Sequence, residues 1–245
     1  SGSTTSASDL PVIAAGLAML TPASLPPVNI DFIIEFLEPT AVIVSAIAGM
    51  IVASNKAMDL VGAYSLACVN AFGGGTVRDL LLDNRPFYWM SHWQYLVVIM
   101  CICIPFVYSG PMYRLTSEVH RRSGKVDAVG LALFTMTGVG IALTQEAPLV
   151  VAVLMGVITG TMGGVLRDLV VNEIPEIFRP GSLYATAALG GALVFVWCLD
   201  RTGYEWATLI GIATVVILRL LSIRWNIGIP APHWAPPPAD RDPPQ

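Results

Sequence analysis

The sequence predicts an all-α integral membrane protein with seven transmembrane helices, arranged as two inverted three-helix repeats and a seventh helix. Hydrophobic residues make up 55% of the 245 residues, charged residues only 12%, and the mean hydropathy is +0.69. Soluble domains carry about a quarter charged residues, so this chain cannot cover itself with a solvated surface. A glycine–arginine–aspartate motif that occurs twice inside apolar stretches indicates the repeat.

The predicted spans are apolar runs close to the roughly 20 residues that cross a hydrocarbon core. Polar breaks such as NKAMD, DNRPFYWMS and NEIPEIFRPGS separate them, and aromatic residues cluster at both ends of the third run, as expected at membrane interfaces. The runs lie near 35–55, 59–82, 92–109, 126–144, 148–171, 182–199 and 204–223.

Five segments follow from these runs. An N-terminal extramembrane or processed segment precedes the spans, and a proline-rich cytoplasmic tail follows them. The predicted segments are the N-terminal part at 1–34, the first repeat at 35–125, the second, inverted repeat at 126–199, the seventh helix at 200–224 and the tail at 225–245.

The distribution of lysine and arginine predicts the orientation of the chain. With an N-terminus outside, the alternating breaks place only Arg85 and Arg201 on the outer side. The inner side receives Lys56, Arg114, Arg121, Arg122, Lys125, Arg179, Arg219 and Arg224. Because short cytoplasmic loops carry an excess of basic residues, we expect the N-terminus outside and the C-terminus in the cytoplasm.

Glycines of the repeated motif predict where a transport path lies. A shift of 89 residues aligns the two motifs, and three spans separate equivalent helices, so the second copy crosses the membrane in the opposite direction. Helices that are interrupted by glycines at corresponding positions of two inverted halves are typical of transport sites. We therefore expect kinks in the second and fifth helices. The alternative is that the glycines permit close helix packing. The glycines concerned are Gly73, Gly74, Gly75, Gly163 and Gly164.

Polar side chains in the apolar runs are candidates to line that path or its gate. In the runs themselves these are Ser45, Asn70, Thr76, Thr135, Thr137 and Thr159. A hydroxyl in a membrane helix can equally bond its own backbone, which is the alternative for the serine and the threonines. Lys56 and Asp127 fall near the predicted cytoplasmic rim, where a charge either anchors the helix or, as an aspartate, concentrates cations.

The motif's charged pairs are Arg78 with Asp79 and Arg167 with Asp168. Neighbouring helical residues point about 100° apart, so we expect each charge to find another partner. Pairing between the repeats, Arg78 with Asp168 and Arg167 with Asp79, is one alternative, and capping of broken helix ends is another. The pairs either belong to the path or hold the fold, and the arginines could also bind a lipid phosphate.

Enzyme, metal and cofactor chemistry have no support in the sequence. The histidines His92, His120 and His233 are not paired with cysteine or carboxylate at ligand spacing. The chain contains neither a nucleophile elbow nor a phosphate-binding loop, and no basic cluster indicates nucleic acid. We therefore expect no enzymatic activity, no cofactor and no bound metal besides a permeant ion.

The motifs GGGTVRD and GGVLRD, with VDAVGLALFTMTGVGIAL at 126–143, resemble the prokaryotic branch of the TRIC family, the trimeric intracellular cation channels. The resemblance covers residues 35 to 223. It implies a homotrimer in the bacterial or archaeal cytoplasmic (inner) membrane, with a pore in each subunit around the kinked second and fifth helices. It also implies passive permeation by monovalent cations, mainly potassium.

Two further points follow from the resemblance. Bacterial relatives have also been labelled glycine transporters, so a carrier for a small zwitterion such as glycine is the alternative function. Animal channels of the family carry a lysine-containing motif that binds an inositol lipid, whereas LLLDNRP follows the first motif here. Membrane lipid therefore remains an expected partner, without that form of gating.

Overall fold

The chain folds into α-helices in this computed structural model, which describes residues 30–108, 123–179, 182–225 and 227–228. The long helices are α1 (Ile30–Asn55), α2 (Leu60–Leu81), α3 (Gln94–Tyr108), α4 (Ser123–Thr144), α5 (Leu149–Val170), α6 (Ala185–Thr202) and α7 (Tyr204–Trp225). A one-turn helix, Tyr88–Ser91, follows α2, and a 3₁₀ turn, Glu176–Phe178, follows α5.

Helix boundaries differ from the predicted segments by a few residues at several points. The first helix begins at Ile30, so its first turn lies inside the segment predicted to precede the membrane. Likewise α6 extends to Thr202, past the predicted end of the second repeat. The rest of the N-terminal segment, most of the tail and the basic residues Arg114, Arg121 and Arg122 lie outside the described residues.

Five of the described helices are long and apolar enough to cross a membrane, namely α1, α2, α4, α5 and α7. The third helix is apolar but has only 15 residues, and α6 has 18. Since a span needs about 20 residues, with about 17 at the short limit, α3 as described is shorter than that limit and α6 lies just above it. The count of seven transmembrane helices therefore stays a prediction.

Backbone geometry repeats at the same 89-residue spacing as the motif. The amide of Asn84 donates to the carbonyl of Asp79 at 2.8 Å, and the amide of Glu173 donates to the carbonyl of Asp168 at 2.9 Å. Among the described residues, the non-glycine positions with positive φ form two equivalent pairs: Ala57 with Glu146, at 50° and 58°, and Asp83 with Asn172, at 51° and 56°. The repeat therefore includes the loops as well as the helices.

Equivalent first helices run in opposite directions. Ile34, near the start of α1, lies against Gly140, near the end of α4, while Ser45 lies against Gly130 further back on α4. As the position advances along α1, its partner position retreats along α4. This antiparallel packing is the geometry that an inverted repeat requires.

The second and fifth helices cross at the motif glycines. A Cβ atom added to Gly74 would collide with the carbonyl oxygen of Thr159, and one added to Gly163 would lie 2.5 Å from the carbonyl oxygen of Asn70. These contacts are equivalent under the 89-residue shift. Both helices stay continuous through their glycines, so they are not broken there, and the glycines permit close packing. A bend of either helix stays a prediction.

Charges are unevenly distributed between the two ends of the bundle. The acidic end is where α1 and α7 begin and α2, α4 and α6 end, and its carboxylates include Asp31, Glu35, Glu38, Asp83, Glu146, Asp200 and Glu205. The basic end is the opposite one, and its described basic residues include Lys56, Lys125, Arg179, Arg219 and Arg224. This distribution matches the alternating sides expected from the sequence, while the orientation in a membrane stays a prediction.

Candidate functional site

Arg78 is the centre of a buried ion-pair cluster at the acidic end. It lies in the last turn of α2, and it is only 1% exposed. Its Nη2 donates to Oε1 of Glu38 on α1 at 2.8 Å, and its Nε donates to Oδ1 of Asp79 at 2.8 Å. An unpaired charge would be costly at this depth, so the two carboxylates stabilise the guanidinium where it lies.

An equivalent cluster surrounds Arg167 at the basic end, in the last turn of α5. Its Nη1 donates to Oδ1 of Asp127 on α4 at 2.7 Å, and its Nε donates to Oδ1 of Asp168 at 2.9 Å. Sequence analysis missed Glu38 as a member of the first cluster. The signal was present, because the shift of 89 residues places Glu38 on Asp127.

One expectation and one alternative about these charges are wrong. Each arginine does pair with the aspartate beside it, because a long guanidinium side chain can bend across the angle between neighbouring positions. Pairing between the repeats does not occur, since each second partner comes from the first helix of the same repeat. Each aspartate also joins its helix to the short helix that follows: Oδ2 of Asp168, for example, accepts from the Glu176 amide at 3.1 Å.

The positions and charges of the clusters indicate whether the arginines are suited to bind a lipid phosphate. Each cluster lies at a helix end and contains two carboxylates for one guanidinium, so its formal charge is negative. Arg78 and Arg167 are at most 6% exposed, and each already pairs with two carboxylates, so a lipid phosphate would have to reach a buried and negatively charged cluster. The clusters therefore present a better environment for a cation than for an anion.

Most of the candidate hydroxyl groups bond their own helix. Asn70 is different, because its Nδ2 donates to the Ser45 carbonyl at 2.6 Å and thereby joins α2 to α1. The threonines that donate to the carbonyl four residues earlier, at 2.6 to 2.8 Å, are Thr76, Thr135, Thr137 and Thr159. These bonds satisfy the hydroxyls without water, so a pore-lining role for them stays a prediction.

An open cavity of about 560 Å³, here called the acidic vestibule, lies at the acidic end. Asp31, Glu35 and Glu38 line it from one face of α1, and His92 and Tyr95 are among the residues that line it elsewhere. Carboxylates at such a mouth raise the local concentration of cations. A small adjoining cavity shares Glu38 and Tyr88 with the vestibule and also touches Gly75 and Thr76.

A smaller cavity of about 80 Å³, here called the Asp127 cavity, lies at the basic end. Its lining residues are Ala48, Val52, Gly124, Asp127, Arg167 and Glu176. Asp127 is only 8% exposed, so it is a buried member of an ion pair and not the exposed rim charge that the sequence suggested. Within the described residues, no group of three or more metal-ligating side chains is placed to hold a metal ion.

Lys56 occupies the rim of the basic end. Its Nζ lies 2.6 Å from Oε1 of Glu173, and both side chains are 40% exposed. The hydrogen bond from Lys56 lowers the pKa of Glu173, with a further contribution from Arg179. Lys56 therefore joins the end of α1 to the loop after α5, which is an anchoring role.

Comparison with known proteins identifies the family. The model of the family described as "Glycine transporter" matches residues 35–110 and 125–200. The inner membrane protein YadS of Escherichia coli K12 is 36% identical over 205 residues, which cover 81% of this chain and 95% of that protein. A Vibrio cholerae membrane protein is 36% identical over 197 residues, 76% of this chain and 77% of that protein. Both carry the family designation UPF0126.

Solved structures show the same fold. The TRIC channel orthologue from Rhodobacter sphaeroides matches with a TM-score of 0.73 and 35% identity, over 79% of this chain and 98% of that chain. The protein belongs to the prokaryotic TRIC family. A second prokaryotic TRIC channel, crystallised in 0.5 M KCl, matches this TRIC-family protein with a TM-score of 0.73 and 29% identity, over 80% and 98% of the chains. Both solved relatives are channels and not enzymes.

Proposed function

We propose that this protein is a passive cation channel, permeable mainly to potassium, with a pore in each subunit of a homotrimer. The observation that carries the proposal is its 35% identity and TM-score of 0.73 to a TRIC channel over nearly the whole of that channel. The structure adds an acidic vestibule that leads to the buried Glu38.

The proposed path runs through the subunit between the two ion-pair clusters. It enters at the acidic vestibule, passes Glu38 into the adjoining small cavity, and continues beside the crossing of α2 and α5. It leaves past the Asp127 cavity at the basic end. The candidate residues Ser45, Asn70, Thr76, Thr135, Thr137 and Thr159 lie on the helices that surround this path.

Electrostatics favour a cation along this path. Each cluster combines one arginine with two carboxylates, so its net formal charge is −1. A net unit charge about 6 Å from a cation attracts it by roughly 3 kcal/mol at an effective dielectric constant near 20. The arginines are held against carboxylates, which neutralises the barrier that they would otherwise present.

The proposed orientation places the acidic end outside and the basic end in the cytoplasm. The basic residues Lys56, Lys125, Arg179, Arg219 and Arg224 at one end support it through the positive-inside tendency. Cations would then collect at the outer vestibule. The proposed location is the inner membrane, because the Escherichia coli relative YadS is an inner membrane protein.

Single-channel recording of the purified protein in planar bilayers tests the proposal. We expect discrete current steps that reverse near the potassium equilibrium potential. Glu38→Gln should reduce potassium conductance at low salt, because it removes the carboxylate at the inner end of the vestibule. Glu205→Gln, at the same end but outside the vestibule lining, is the matched control and should conduct normally. Silent bilayers would contradict the channel.

A carrier for a small zwitterion such as glycine is the second candidate. The family description "Glycine transporter" favours it, and inverted repeats suit carriers as well as channels. Uptake of labelled glycine into proteoliposomes tests it directly. Saturable uptake together with silent bilayers would support the carrier, whereas current steps without uptake would support the channel.

A further inference from the structure

Asp127, one of the residues that line the Asp127 cavity, has a buried carboxylate oxygen without a partner among the described residues. Oδ1 of Asp127 accepts a hydrogen bond from Arg167 Nη1 at 2.7 Å. Oδ2 of the same carboxylate has no hydrogen-bond partner within the part of the chain that the structure describes, although Asp127 is only 8% exposed. Buried carboxylate oxygens normally have a partner, because an unsatisfied one costs desolvation free energy.

The charges around this cavity do not balance. Arg167 pairs with Asp127 and Asp168, and Arg219 of α7 donates to Oε1 of Glu176 at 2.6 Å. Three carboxylates thus face two guanidinium groups, which leaves a formal charge of −1. Lys56 and Arg179 both pair with Glu173. Lys125, next to Gly124 of the lining, is exposed and forms no ion pair with the described residues.

The first repeat shows why the second differs. Glu38, the equivalent of Asp127, lines the open vestibule, and neither of its carboxylate oxygens is buried without a partner in the part of the chain that the structure describes. Asp127 is one methylene shorter, and the position equivalent to Phe87 is occupied by Glu176, which adds a carboxylate to the cavity wall. The second repeat therefore encloses a small, negatively charged space that the first repeat leaves open.

We propose that the Asp127 cavity binds one monovalent alkali cation in each subunit, with Oδ2 of Asp127 as the anionic ligand. This inference rests on the proposed function, because it places a cation station at the cytoplasmic end of the same path. A bound charge of +1 balances the cluster, whereas a divalent ion would leave an excess positive charge. The ion meets the oxygen that faces away from the Arg167 bond, so the guanidinium does not exclude it.

Size and access also fit a partly hydrated ion. A water molecule needs at least about 10 to 15 Å³ of free space in a cavity, so about 80 Å³ holds an ion with several waters. The side chain of Glu176 is 29% exposed, whereas that of Asp127 is 9% exposed. Glu176 therefore marks the side from which an ion enters, and Asp127 marks the inner end of the site.

Two measurements on the purified full chain test the site. The first is anomalous scattering from crystals grown in rubidium chloride, which should show a rubidium peak in the cavity beside Asp127. The second is thermal unfolding in potassium chloride against N-methylglucamine chloride at equal ionic strength. Since a ligand stabilises the state that binds it, the melting temperature should rise with potassium by about 2 to 4 °C.

Variants locate the effect. Asp127→Asn keeps an oxygen that can accept from Arg167 but removes the charge, so it should abolish the potassium-dependent rise and the rubidium peak. Glu38→Gln makes the same change at the equivalent position of the first repeat and should retain both. If Asp127→Asn does not fold, the presence or absence of the rubidium peak in the wild type decides the matter.

Several results would overturn the inference. These are equal melting temperatures in both salts with an empty cavity, a potassium effect that persists in Asp127→Asn, or saturation by magnesium or calcium at lower concentrations than potassium. The experiments distinguish a failure of the proposed channel from a failure of the proposed cation site. A protein that conducts potassium without binding rubidium here retains the channel and loses the site, and one that binds rubidium but is silent loses the channel.

Discussion

Gly74→Ala tests the close crossing of α2 and α5. The added methyl group would meet the backbone carbonyl of Thr159, and the equivalent change, Gly163→Ala, would place Cβ 2.5 Å from the carbonyl oxygen of Asn70. Backbone atoms cannot rotate out of the way as side chains can. The two helices would therefore have to separate by about half an ångström or more, which disturbs the packing along their whole contact.

Gly75→Ala is a matched control on the neighbouring residue. Its Cβ would lie 3.7 Å from Nη2 of Arg78 and 4.0 Å from Oε1 of Glu38, which are ordinary contacts. In a helix, replacing glycine by alanine contributes up to about 1 kcal/mol of stability. Overpacking at Gly74 costs typically about 1 to 3 kcal/mol. Both variants share the gain from alanine, so we expect Gly74→Ala to be less stable than Gly75→Ala by the overpacking cost, about 1 to 3 kcal/mol.

Equilibrium unfolding in mild detergent micelles, followed by far-ultraviolet circular dichroism, measures this difference. The expected order of stability is Gly75→Ala at or above the wild type, with Gly74→Ala below both. Gly163→Ala should resemble Gly74→Ala, because the two contacts are equivalent. Equal stability of Gly74→Ala and Gly75→Ala would refute the close crossing derived from the structure.

Three further predictions concern charges. Arg78→Leu leaves two buried carboxylates without their partner, and we expect a loss of about 3 to 5 kcal/mol in unfolding measurements, with a wild-type result excluding a clamping role. Lys56→Met should remove less than about 1 kcal/mol, because the pair is exposed. Because the pair lowers the pKa of Glu173, its contribution is present above the ordinary glutamate pKa and is lost as the pH falls through the lowered value, so melting curves of wild type and Lys56→Met should converge in acid. In a variant without native cysteines, Arg201→Cys should react with an impermeant maleimide on intact cells and Lys56→Cys should not, and the reverse labelling would invert the proposed orientation.

Much of the architecture could be predicted from the sequence because the membrane imposes strong constraints. A low charge content and apolar runs of span length permit little except a helical membrane protein. The 89-residue shift between the motifs also predicted the inversion, because equivalent helices are three spans apart and an odd number of spans reverses the direction of the chain. The antiparallel contacts of Ile34 with Gly140 and of Ser45 with Gly130 agree with that prediction.

The partners of the motif charges could not be predicted, although one of them was within reach. Angular position on a helix suggested that Arg78 and Asp79 would not meet, but a guanidinium group on three methylenes covers that angle. Glu38 could have been found by applying the 89-residue shift to Asp127. A match of two single residues under this shift is weak evidence outside the motif, because glutamate and aspartate are common at the edges of apolar runs.

The sequence by itself determined the class of protein, the repeat and its inversion, because composition, span length and spacing are properties of the chain that a membrane converts directly into topology. Only the tertiary structure decided what the glycines and charges do. Whether a glycine bends a helix or admits a neighbouring backbone depends on what lies against it, and at Gly74 and Gly163 it is the opposite helix. Whether a carboxylate is satisfied depends on distances of a few ångströms, which leave one oxygen of Asp127 without a partner within the described residues.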